Sequence, residues 1–128
     1  MHCRFYVSPY MQMLAWARKF NATVYALEHR FYGFSQPKRS TATRYLKWLT
    51  VEQALADTAN FIQSVNAWNN YTNPKWVAFG GSYAGNLAAW FRLKYPDLTV
   101  GAVASSAPVQ VKTDYFGRTT PTLKRSRF

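Results

Sequence analysis

The stretch Trp76-Val77-Ala78-Phe79-Gly80-Gly81-Ser82-Tyr83-Ala84-Gly85 constrains the fold of this chain more than any other. Its apolar start reads as a strand buried on both faces, and it runs straight into a glycine pair and a serine. Residues 83–95 follow with a helical pattern that Pro96 ends. Val100-Gly101-Ala102-Val103-Ala104 then reads as another buried strand, followed by Ser105-Ser106-Ala107-Pro108. A helix between two such strands predicts a crossover connection and a parallel sheet.

The upstream residues repeat the alternation. Residues 11–20 read as a short helix, with Met11, Leu14, Ala15 and Arg18 on neighbouring turns and Asn21 as its stop. Thr23-Val24-Tyr25-Ala26-Leu27 reads as a further buried strand. Residues 29–49 are a long polar connection containing Gly33 and Pro37. Thr50 and Gln53 form a capping box for the next helix, and Glu52 suits its first turn. Val51, Ala54, Leu55, Thr58, Phe61, Ile62 and Val65 make a helical stripe for packing on a sheet. The predicted fold class is therefore α/β, with parallel strands and crossover helices.

A chain of 128 residues holds one domain. It has no apolar run of the roughly 18 residues that a membrane helix needs, and no secretory signal pattern at its start. The net charge of +11 raises a nucleic-acid partner. Arg18, Lys19, Lys38, Arg39, Arg92 and Lys94 are scattered, however, and only Lys124, Arg125 and Arg127 cluster. With no basic-aromatic repeat, zinc spacing or helix-turn-helix pattern, no nucleic-acid partner is expected. Cys3 is the single cysteine, so no internal disulfide and no metal set is expected. Asn21-Ala22-Thr23 and Asn70-Tyr71-Thr72 are glycosylation sequons, each a short pattern.

The chemistry lies at Ser82. A serine aimed outward on a strained strand-to-helix turn is a nucleophile elbow. The residues two before and two after it face each other closely and must be small. Gly80 meets that need, and Ala84 departs from the usual glycine by one methyl. The Tyr83 amide, at a helix N-terminus, can donate to an oxyanion. The competing reading is a glycine-rich turn with a serine that merely caps the helix.

Three blocks carry a family resemblance. They are Ala26-Leu27-Glu28-His29-Arg30-Phe31-Tyr32-Gly33 with Ser35-Gln36-Pro37; residues 49–57, LTVEQALAD; and Phe79 through Gly85 onward to Ala104-Ser105-Ser106-Ala107-Pro108-Val109. The chain resembles the family of prolyl carboxypeptidase, dipeptidyl peptidase II and thymus-specific serine protease. Ala84 is closest to the thymus-specific branch. The resemblance implies a partial α/β-hydrolase core over residues 11–115, with residues 1–10 and 116–128 outside it; the tail, GRTTPTLKRSRF, is polar and basic and is expected to be disordered. It implies a serine-type exopeptidase of lysosomal or secreted proteins, cutting proline-containing peptides and using no cofactor. The nucleophile maps onto Ser82 and the oxyanion donor onto the Tyr83 amide.

The family's catalytic Asp and His belong further downstream, and its helical cap and earlier strands find no match here. His29 precedes the serine, whereas hydrolases of this class place histidine last, so a structural role is expected. Asp57 sits mid-helix and Asp114 after the last strand. The expectation is a segment inactive by itself. The alternative is a non-catalytic remnant that binds a partner.

Overall fold

The computed structural model describes residues 12–38, 40 and 42–109. The expectations for residues 1–10 and 116–128, and those on Cys3, Met11, Arg39, Asp114 and the cluster at Lys124, lie outside the described residues. In chain order come α1 (Gln12–Lys19), a 3₁₀ helix (Thr43–Trp48), α2 (Val51–Trp68), β1 (Val77–Gly81), α3 (Tyr83–Lys94) and β2 (Gly101–Ser105). β1 and β2 pair in parallel, from Val77 opposite Gly101 to Gly81 opposite Ser105, with α3 as the crossover.

Small residues set how closely α3 lies on the strands. Gly85 and Ala88 are buried. A methyl group on Gly85 would sit 3.0 Å from both the Ala107 Cβ and the Ser105 carbonyl oxygen. Further along, Phe91 is the most deeply buried large side chain, meeting Leu55, Ala59 and Ile62 of α2. Burial of a side chain of that size stabilises by about 1.5–3 kcal/mol. The expected stripe on α2 is thus the core face, with Ala54, Leu55, Ala59, Ile62 and Val65 buried. At the far end of α2, Trp76 Nε1 donates to Asn66 Oδ1 at 2.9 Å and ties the helix to the entrance of β1.

Three local expectations need correction. Thr23–Leu27 pairs with no strand, so the described sheet has two strands and not three. A strand needs a neighbour about 4.8 Å away. Here a cavity of about 780 Å³ lies between residues 22–30 and β1, walled in addition by Trp16, Phe20, Phe61 and Phe91. The segment is held by side chains instead. Tyr25 packs on Trp76 at 5.3 Å and on Phe61 at 5.7 Å between ring centroids.

The capping box is half formed. Thr50 Oγ1 accepts from Gln53 N–H at 3.2 Å, but the Gln53 side chain accepts from Arg30 rather than returning to Thr50. A charged guanidinium offers the stronger hydrogen bond. Residues 29–49 are also less irregular than expected, because the 3₁₀ helix closes that connection with Tyr45 stacked on Trp48.

Candidate active site

Ser82 sits where β1 ends and α3 begins, at φ 55° and ψ −127°. That backbone region costs a non-glycine residue on the order of 1–3 kcal/mol and persists only when its surroundings enforce it. The enforcing bonds are present. Ser82 N–H donates to the Ser105 carbonyl at 2.9 Å, which fastens the corner to the end of β2. The Ser82 carbonyl accepts from Gly85 N–H at 2.8 Å and Asn86 N–H at 3.2 Å, which starts α3.

Gly80 makes the corner possible. A Cβ there would lie 1.9 Å from the Ala84 carbonyl oxygen and 2.3 Å from its carbon. The requirement for smallness is therefore one-sided. Gly80 meets the Ala84 backbone, while the Ala84 side chain is exposed. The methyl that departs from the usual pattern has room.

The Ser82 side chain is exposed and makes no capping hydrogen bond to α3. The Ser82 hydroxyl is thus not used as a side-chain cap. Tyr83 heads α3, where backbone N–H groups have no partner within the helix and the dipole is positive. Burial, and then the neighbouring Tyr32 phenol, push the Tyr83 phenol above its ordinary value.

The loop after residue 27 is built from interactions that no local pattern announces. Arg30 forks onto Asp57, Nε to Oδ2 at 2.6 Å and Nη2 to Oδ1 at 2.7 Å. Its Nη1 donates to the Trp48 carbonyl at 2.7 Å and to Gln53 Oε1. One side chain thus locks the loop to the first turns of α2 and to the end of the 3₁₀ helix. Glu28 Oε2 accepts from Ser35 N–H at 2.8 Å and Phe34 N–H at 3.0 Å, folding residues 28–35 on themselves. Gly33, at φ 49°, passes so close to Glu28 that a Cβ would lie 1.9 Å from Oε1.

His29 reaches from this loop to the corner, with Nε2 3.3 Å from the Tyr83 hydroxyl. Its Nδ1 is 2.7 Å from the Arg30 carbonyl. Both ring nitrogens are engaged elsewhere, so His29 is not placed as a base for Ser82, in line with its position in the sequence. Among the described residues, Ser82 Oγ has no hydrogen-bond partner and no group of His, Cys, Asp or Glu could hold a metal ion. Asp57 is committed to Arg30. Asn21 and Asn70 are both exposed, at positive φ in the turns that follow α1 and α2. No helix among the described residues is long and apolar enough to cross a membrane.

A Caenorhabditis elegans protein named as a serine protease is 56% identical over 109 residues, covering 85% of this chain and 20% of its own length. Mouse thymus-specific serine protease is 45% identical over 102 residues, covering 79% and 20%. Bovine lysosomal Pro-X carboxypeptidase is 47% identical over 97 residues, covering 73% and 19%. The chain spans about one fifth of the length of these relatives. Residues 5–121 match the family described as serine carboxypeptidase S28, and the chain belongs to that family.

Proposed function

We propose that this chain carries the nucleophile segment of an α/β-hydrolase-type serine exopeptidase that cleaves peptides next to proline, with residues 11–115 as part of one catalytic domain. The observation that carries the reading is Ser82 itself: positive φ, at a strand-to-helix corner, with its hydroxyl exposed and unused by the helix. In this reaction Ser82 Oγ attacks the scissile carbonyl carbon. Its proton passes to a histidine base and then to the leaving amine as the C–N bond breaks; water, deprotonated by the same base, then cleaves the resulting ester and returns the proton to Ser82 Oγ. The oxyanion formed on the way is met by the Tyr83 N–H at the positive end of α3. A donor in that place typically contributes ~10²–10³ in rate.

His29 is already bound on both sides, so the base is read as a histidine other than His29, supplied by the complete catalytic domain. A serine without a base stays protonated and weakly nucleophilic. These 128 residues alone therefore hydrolyse nothing at a useful rate. The complete protein is read as lysosomal or secreted. The name of the bovine relative and the two exposed sequons support that reading.

The test has two arms. The isolated chain and its Ser82→Ala variant are incubated with a proline-containing peptide, and neither should turn it over. Serine-dependent turnover by the isolated chain would overturn the need for an outside base. In the second arm, these residues replace the matching fifth of bovine lysosomal Pro-X carboxypeptidase. That chimera should cleave the peptide, and Ser82→Ala should remove activity on the order of 10⁶-fold, as removal of a serine nucleophile does.

A further inference from the structure

We infer that His29 is a positioning residue for the corner, holding the Tyr83 phenol through Nε2 and so tying the head of α3 to the 28–35 loop. The protonation pattern follows from the partners. The Arg30 carbonyl 2.7 Å from Nδ1 can only accept, so Nδ1 carries the proton. The neutral ring then offers a lone pair at Nε2, and the Tyr83 hydroxyl donates to it across 3.3 Å. That distance is long for an O–H donor, and ring contacts reinforce it. His29 lies 5.7 Å from the Tyr83 ring and 5.2 Å, edge-on, from Tyr32.

His29 can act this way because its own backbone is anchored. The adjacent Arg30 is forked onto Asp57 of α2, and Glu28 on the other side holds the loop closed. A continuous path therefore runs from α2 through Arg30 and His29 to Tyr83, the residue whose N–H heads α3. It joins residues 54 apart in sequence at the residue that follows Ser82. The meaning of this for catalysis rests on the Ser82 reading; the hydrogen-bond pattern does not.

The test is ¹⁵N magnetic resonance of the full chain labelled in its histidine rings, taken at about pH 8, where an ordinary imidazole is neutral. It applies equally to soluble and to sedimented protein. The His29→Gln variant identifies the His29 signals against those of His2. The expected spectrum places the proton on Nδ1. Tyr83→Phe should move the Nε2 resonance toward the position of an unbonded nitrogen, and Tyr32→Phe, which keeps a ring, should leave it in place. With ¹³C at the tyrosine ζ carbon, the Tyr83 signal should hold in His29→Gln, whose amide oxygen can accept from the phenol, and shift in His29→Leu. A proton found on Nε2, or an Nε2 resonance unmoved by Tyr83→Phe, would overturn the inference. Either result would leave the Ser82 reading standing, and failure of Ser82 to react would leave this hydrogen bond standing.

Discussion

Gly80 and Gly81 are neighbours on β1, yet adding one methyl to each should have opposite effects. At Gly80 the new Cβ would lie 1.9 Å from the Ala84 carbonyl oxygen, 2.3 Å from its carbon and 2.7 Å from Gly85 N. All three are backbone atoms in the first turn of α3, so no rotamer change relieves the overlap. Reaching an ordinary contact near ~3.5 Å would require the corner to open by about 1.6 Å. That movement would strain the Ser82 N–H bond to Ser105 and lift α3 from the strands. Overpacking against adaptable side chains costs about 1–3 kcal/mol; against backbone on both sides, Gly80→Ala should cost about 3 kcal/mol or more. At Gly81 nothing lies within 4 Å of the built Cβ, and its φ is not positive. Gly81→Ala should stabilise by about 0.4–1 kcal/mol through the unfolded chain. With roughly 4 °C per kcal/mol for a chain of this size, the two midpoints should separate by some ~14 °C. Thermal unfolding followed by circular dichroism at low protein concentration measures this. Equal shifts, or a Gly81→Ala variant less stable than Gly80→Ala, would refute the close approach that defines the corner.

Two further outcomes follow from the same geometry. Arg30→Lys should destabilise by about 2 kcal/mol, because a lysine cannot fork onto Asp57 while also reaching the Trp48 carbonyl and Gln53; a urea midpoint equal to that of wild type would contradict the lock. Expressed through a secretory pathway, the chain should carry glycans at exposed Asn21 and Asn70; glycosidase treatment should lower its apparent mass in two steps, each abolished by the matching Asn→Gln change.

The parts of the fold legible in the sequence are those set by neighbours in sequence. An apolar run, two glycines, a serine and an alanine-rich helix specify β1, the corner and α3 within a few turns of chain. The Thr50 cap and the apolar stripe of α2 are equally local, and both are present. Thr23–Leu27 shows the limit. Its composition suits a strand, but a strand exists only beside another edge, and a cavity occupies the space between it and β1. The return half of the capping box is missing for a related reason: Arg30, 23 residues away, draws the Gln53 side chain off. Separations of 27 and 54 residues likewise hid the Arg30–Asp57 pair and the contact of His29 with Tyr83. Each joins residues that no periodicity relates. A charged residue beside a histidine in a polar loop gives no sign of which helix it will meet. The resemblance to known peptidases did mark the block from Ala26 to Gly33 as important, without showing what its side chains touch.

In the proposed reaction Ser82 Oγ, at a strand-to-helix corner, supplies the electron pair that attacks the scissile carbonyl. The most direct test is to treat the chimera with bovine lysosomal Pro-X carboxypeptidase with a fluorophosphonate and map the adduct by mass spectrometry. The phosphonyl group should be found on Ser82, and on no residue once Ser82 is alanine. A folded chimera that modifies another serine, or that reacts as readily after Ser82→Ala, would contradict the account.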